Sequence, residues 1–135
     1  MATVLIVEDN ALVAKFYALA LERAGSFRCR RGQSADDVLA RARAGEVDLV
    51  IVDVSLANFT YQGKLIDGLQ LSRLLKSDSQ TRRIPILLAT AHAMEGDRER
   101  FLATSGADGY LQKPIYEPEV LVARVRELLP SEKEA

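Results

Sequence analysis

Leu49-Val50-Ile51-Val52-Asp53 is the stretch on which the fold turns: four consecutive apolar residues that run into one carboxylate. A continuous apolar run of this length, bounded by polar sequence, suits a strand buried on both faces, because a strand with one wet face alternates instead. Such strands lie at the centre of parallel sheets. Open α/β sheets meet their ligands at the carboxyl ends of those strands, and Asp53 stands at that end. The plainer reading of Asp53, a turn former or a cap for the next helix, holds unless other chemistry gathers around it.

Upstream, Thr3-Val4-Leu5-Ile6-Val7 is a second apolar, β-branched run, and it ends in Glu8-Asp9-Asn10. Leu12, Val13, Phe16, Leu19, Ala20 and Ala24 then recur at helical spacing, with Asn10 as N-cap and Gly25 as stop. Ser26 to Arg31 reads as a short strand around Phe27 and Cys29, and Arg28, Arg30 and Arg31 suit a sheet edge. Ser34 opens a second helix through Val38, Leu39 and Ala42, with Asp36 and Asp37 in its first turn.

Downstream, residues 54 to 66 read as a loop, and Leu69, Leu71, Leu74 and Leu75 mark a third helix. Pro85 to Thr90 is a fourth strand, Asp97 to Ser105 a polar helix, and Gly109 to Gln112 a short fifth strand leading to Lys113-Pro114. Pro118 starts the last helix, through Leu121, Val125 and Leu128. Met94 and Phe101 read as packing residues. Val122, off the apolar stripe, reads as a candidate docking or dimer residue, and His92, the only histidine, first of all as a surface residue. Strand and helix alternate five times. The expected class is α/β: a doubly wound, five-stranded parallel sheet with five helices, a flavodoxin-like βα repeat. One domain is expected over 1–130, with a polar tail at 131–135.

Composition bounds the function. Hydrophobic residues make up 48% of the 135, enough for a real core, and 18 basic against 19 acidic side chains leave a net charge of −1. That balance argues against a nucleic-acid or membrane-surface partner. The single cysteine, Cys29, excludes an intramolecular disulfide and a zinc site of clustered thiolates. With no secretory leader and no apolar run of membrane-spanning length, a reducing cytoplasm is the expected location.

The polar residues that ask for explanation all fall at strand ends. Glu8 and Asp9 follow the first strand, Asp53 ends the third, Thr90 the fourth, and Lys113 follows the fifth. A parallel sheet brings these ends to one edge. Three carboxylates in one crevice repel, and a hard divalent cation among them relieves that repulsion. Mg²⁺ takes oxygen ligands, often one or two carboxylates together with phosphate oxygens. Lys113 suits a phosphate as a point charge, and Thr90 supplies a hydroxyl. The set points to phosphoryl transfer with Asp53 as the nucleophile.

The motifs Val7-Glu8-Asp9-Asn10, Val52-Asp53, Asp67-Gly68, Thr90-Ala91-His92, Gly106-Ala107-Asp108-Gly109-Tyr110 and Lys113-Pro114, in this order and spacing, resemble the receiver domain of two-component response regulators over residues 2 to 129. The resemblance implies Asp53 as phosphoacceptor, and Glu8 and Asp9 as metal-binding acids, with Asp9 the direct ligand. It implies the backbone carbonyl of Ser55 as a further Mg²⁺ ligand, Thr90 and Lys113 as the switch hydroxyl and the phosphate-binding lysine, Tyr110 as the aromatic switch residue, and a cis Lys113-Pro114 peptide. It also implies a histidine kinase or phosphotransfer protein as phosphodonor, with output through a protein partner. A homodimer through the fourth helix, fifth strand and fifth helix is a further option.

One departure stands out. Gly68 lies 15 positions after Asp53 (68 − 53), roughly twice the family's usual gap, and the Met-Pro of the family loop is absent. Residues 54 to 66 carry Leu56, Phe59, Tyr61, Leu65 and Ile66 but only one charge, Lys64, so they are expected to pack over or beside the crevice. Three other readings compete. A pseudo-receiver would keep the fold without the phosphorylation. An aspartyl-phosphate hydrolase of the haloacid dehalogenase type would need a second aspartate where Ser55 stands. A flavodoxin-like cofactor binder would need a phosphate cradle where Glu8-Asp9-Asn10 stands.

Overall fold

The computed structural model describes residues 1–91 and 94–130, so His92 and the tail 131–135 lie outside the described residues. In chain order the elements are β1 (Ala2–Val7), α1 (Ala11–Arg23), β2 (Phe27–Arg31), α2 (Ala35–Arg43), β3 (Leu49–Asp53), β4 (Thr60–Tyr61), β5 (Lys64–Leu65), α3 (Gly68–Ser77), β6 (Ile86–Thr90), α4 (Asp97–Ser105), β7 (Gly109–Gln112) and α5 (Pro118–Leu128). The main sheet has the order β2-β1-β3-β6-β7, and every pair in it is parallel.

The apolar run at 49–52 forms the central strand, β3. Val50 and Val52 face a layer with Val38 and Leu39 of α2, Leu71 and Leu75 of α3 and Phe101 of α4. Leu49 and Ile51 face Tyr17 and Leu21 of α1 with Leu121 and Val125 of α5. Burial on both faces removes any reason for alternation, which is why the strand reads as unbroken hydrophobic sequence. β2 is an edge strand, and its arginines lie on exposed positions. Cys29 is buried there, and burial pushes its thiol up to about 12.

Local signals set the helix starts. The Asn10 side chain accepts from the N–H groups of Leu12 and Val13, and Ser34 Oγ from that of Asp37. Asp67 and Gln70 form a capping box at α3. Asp108 is a structural anchor: its Oδ2 accepts from Ile86 N at 2.8 Å and pairs with Lys76 Nζ at 2.7 Å, tying the start of β6 to α3.

Two expectations need correction. Residues 54 to 66 are not simply loop: Thr60 pairs with Leu65 and Tyr61 with Lys64 in an antiparallel hairpin. Its turn residues Gln62 and Gly63 have φ of 52° and 82°. Positive φ at both turn positions matches the twist of a two-residue hairpin. Strands of two residues are too short to show alternation, and Gln-Gly is not a common turn signature. Leu56 and Phe59 are buried in the layer beside α2, and Gln62 N donates to Asp36 Oδ2 at 3.0 Å. The hairpin therefore lies beside the crevice, against α2. Met94 is no packing residue, since it is 79% exposed, whereas Phe101 is buried. Val122, half-buried, lines a groove with Phe16 and Leu19 of α1. Among the described residues, no helix is long and apolar enough to cross a membrane.

Candidate phosphoacceptor site

Because the sheet is parallel, the carboxyl ends of β1, β3, β6 and β7 share one edge. Glu8 directly follows β1 and Asp53 ends β3; they are 5% and 7% exposed. Lys113 follows β7 and reaches between them. Its Nζ lies 2.7 Å from Glu8 Oε1 and 3.6 Å from Asp53 Oδ1. The Lys113 N–H donates to the Thr90 carbonyl at 2.8 Å, and the Lys113-Pro114 peptide is cis. The backbone N–H of Asn10 donates to the other Glu8 oxygen at 3.2 Å, and that of Ser55 to Asp53 Oδ1 at 3.2 Å.

The electrostatics follow from this crowding. Burial, and then the neighbouring Glu8 carboxylate, raise the Asp53 carboxyl above the usual range, against the opposing pull of Lys113 and the Ser55 N–H. Burial alone would lower the Lys113 ammonium, but its bond to Glu8 and the charge of Asp53 outweigh this and leave it raised. The crevice thus holds its lysine charged and has less cation than its carboxylates call for.

The chain leaves Asp53 under tight backbone control. Val54 N donates to the Ala89 carbonyl at 3.0 Å, and Gly68 N to the Val54 carbonyl at 3.1 Å. A Cβ at Gly68 would lie 2.0 Å from the Asp53 carbonyl oxygen. Glycine at 68 is a condition of this approach. It is what the Asp67-Gly68 pair means physically, and the longer excursion between them leaves it intact.

The family model of the response regulator receiver domain matches residues 4–126. The chain belongs to that family. A relative, the polar-differentiation response regulator DivK of Brucella anthropi, is 36% identical over 118 residues, covering 86% of this chain and 87% of its own. Among solved structures, a response regulator from Chloroflexus aurantiacus superposes with a TM-score of 0.79 at 32% identity, covering 94% of this chain and 96% of its own. The chemotaxis protein CheY4 of Vibrio cholerae does so with a TM-score of 0.79 at 26% identity, over 96% and 99%.

In this receiver domain Thr90 is fully buried at the end of β6, and Tyr110 lies one strand away, paired in register with Leu88. Burial raises the Tyr110 hydroxyl, and Asp97 of α4 adds to the effect while Arg98 opposes it. The aromatic side chain is thus buried next to the first turn of α4. Asp9, unlike Glu8, is exposed, and its Oδ2 accepts from the N–H of Ala57.

Two residues near the site escape a reading of the sequence. Arg31 donates through Nη2 to the Glu8 carbonyl at 2.7 Å and the Asp9 carbonyl at 3.0 Å, so the edge strand braces the acidic turn. Only the pairing of β1 with β2 brings them together. Tyr17 is 1% exposed, and among the described residues its hydroxyl has no hydrogen-bond partner; burial, and then the charges of Glu8 and Asp53, raise its pKa. Its helical spacing marks it only as a core residue.

Among the described residues, no three His, Cys, Asp or Glu side chains form a metal-binding cluster by themselves. The donor set nonetheless suits Mg²⁺, which commonly needs only one or two carboxylates, with carbonyl, water and phosphate oxygens making up the rest. Glu8, Asp9 and Asp53 carry three formal negative charges against Lys113 and Arg31, which leaves −1 (−3 + 2). The donors are hard oxygens throughout.

Proposed function

We propose that this receiver domain is the phosphoacceptor module of a two-component phosphorelay, with Asp53 as the acceptor. One observation carries the reading: a buried carboxylate at the carboxyl edge of the central strand, 3.6 Å from a lysine ammonium and beside a second buried acid. A phosphohistidine on a histidine kinase or phosphotransfer protein is the donor. An Asp53 oxygen attacks phosphorus, the histidine nitrogen leaves, and an aspartyl-phosphate results. Lys113, now held by Glu8, is within a short swing of the oxygens of that phosphoryl group. Thr90 supplies its hydroxyl to the same phosphoryl group. Glu8, Asp9, Asp53 and the carbonyl of Ser55 would hold Mg²⁺, whose chemistry is to offset negative charge on the transferring group. The module then changes its affinity for a protein partner and loses the phosphoryl group to water, without turning over a substrate.

The test is intact-mass measurement after incubation with a small acyl phosphate and Mg²⁺. A single phosphoryl adduct is expected on the parent and none on Asp53→Asn. Asp9→Ala should slow labelling and remove most of its dependence on Mg²⁺. An adduct on Asp53→Asn and none on the parent would overturn the assignment.

A further inference from the structure

Asp9 is engaged before any cation arrives, and the group that engages it comes from the extended excursion after Asp53. Its Oδ2 accepts from the backbone N–H of Ala57, four positions after the acceptor. The far end of the excursion is fixed independently. Leu56 and Phe59 are buried, Ile66 N donates to the Phe59 carbonyl at 2.9 Å, and Gln62 N is held by Asp36 of α2. Between the fixed points, Ala57 and Asn58 are exposed, and the Ala57 N–H ties the corner to Asp9. A cation that draws on the Asp9 carboxylate weakens its bond to this N–H, because both draw on the same negative charge.

We propose that the Ala57 N–H is a positioning group for Asp9 that competes with the cation. In the resting domain it holds Asp9 toward the excursion. When Asp9 turns to a divalent cation, the N–H is released and the exposed corner at Ala57-Asn58 is freed, while the hairpin β4–β5 stays anchored. Two consequences follow. Cation affinity is set partly by a backbone group outside the acidic cluster. The corner also reports on the state of the site from the side of α2. The inference rests on the reading of Asp9 as a cation ligand.

The test follows the backbone amides of the full chain by NMR, with and without Mg²⁺. Losing a hydrogen bond to a charged acceptor should raise the exchange rate of the Ala57 amide with water roughly 10-fold. That rise is expected on adding Mg²⁺ to the parent, and without metal in Asp9→Ala, with the Ile66 amide unchanged in both. Ala57→Pro, which has no N–H, should bind Mg²⁺ roughly 10-fold more tightly than the parent. An unmoved Ala57 amide in metal-free Asp9→Ala would overturn the proposal. So would an Ala57→Pro affinity equal to that of the parent. If Mg²⁺ shifts no crevice amide in the parent, the cation reading falls, and the metal-free Asp9→Ala comparison still decides whether the bond positions Asp9.

Discussion

Gly68 and Asp53 show how a residue can be constrained by another residue's task. The backbone at 68 passes so close to the Asp53 carbonyl that a methyl group would meet backbone at 2.0 Å, and backbone has no rotamer by which to yield. Gly68→Ala is therefore expected to lower stability by about 1–3 kcal/mol, read as a lower urea midpoint, and to slow labelling of Asp53. Asp53 itself is held against its own ionisation. Its carboxyl is raised by burial and Glu8, so the native state binds its proton more tightly than the unfolded chain. The destabilisation is absent below the unfolded value of about 3.9 and grows as pH rises through the higher folded value. Asp53→Asn should be more stable than the parent at pH 7 without metal, and the gap should close toward pH 4. A gap of equal size at both pH values in urea melts would contradict this account.

At the scale of elements, the excursion after β3 behaves as part of the fold. Phe59 is 4% exposed and sits in the same layer as Val38 and Leu39 of α2, whereas Leu65 is 69% exposed on the outer side of the hairpin. Phe59→Ala is expected to cost about 3–5 kcal/mol in chemical unfolding, and Leu65→Ala less than about 0.5 kcal/mol. Equal effects would mean that the hairpin is not docked as described. A shortening between Ala57 and Gly63 removes Phe59 and so cannot leave stability untouched, although loop closure alone would permit it. The composition of the segment, rich in apolar residues with a single charge, already marked it as packed. Its strands and its side of the crevice were not legible, because two-residue pairings leave no periodicity and Asp36 lies 26 residues away from Gln62 (62 − 36).

For the whole molecule, the question is how an event at Asp53 reaches a surface. Thr90 lies on β6 with its side chain buried, and Tyr110 on the paired β7 is buried against the first turn of α4. A phosphoryl group on Asp53 that drew in Thr90 would act on this pair first. Phosphorylation must favour one arrangement over another by about 2.7 kcal/mol to bias it 10²-fold. Amide shifts across α4 and β7 are expected to move on phosphorylation, with those of Arg98 and Tyr110 among the largest. Val122, turned toward α1, should move little. Unmoved shifts across α4 and β7 would show that the signal leaves by another face.

The sequence alone determined the class of fold and marked Glu8, Asp9, Asp53 and Lys113 as the charged residues of one crevice, because those follow from short-range facts. A strand buried on two faces must be apolar throughout, a helix start must cap its N–H groups, and parallel strands must present their carboxyl ends together. Tertiary structure decided what depends on distance through space. It gave Lys113 to Glu8 before Asp53, braced the acidic turn with Arg31, buried the Tyr17 hydroxyl beneath the site and tied Asp9 to Ala57. Each of these joins residues on different elements, and their strength depends on ångström-scale separations and on exclusion of water, neither of which is written in the order of residues.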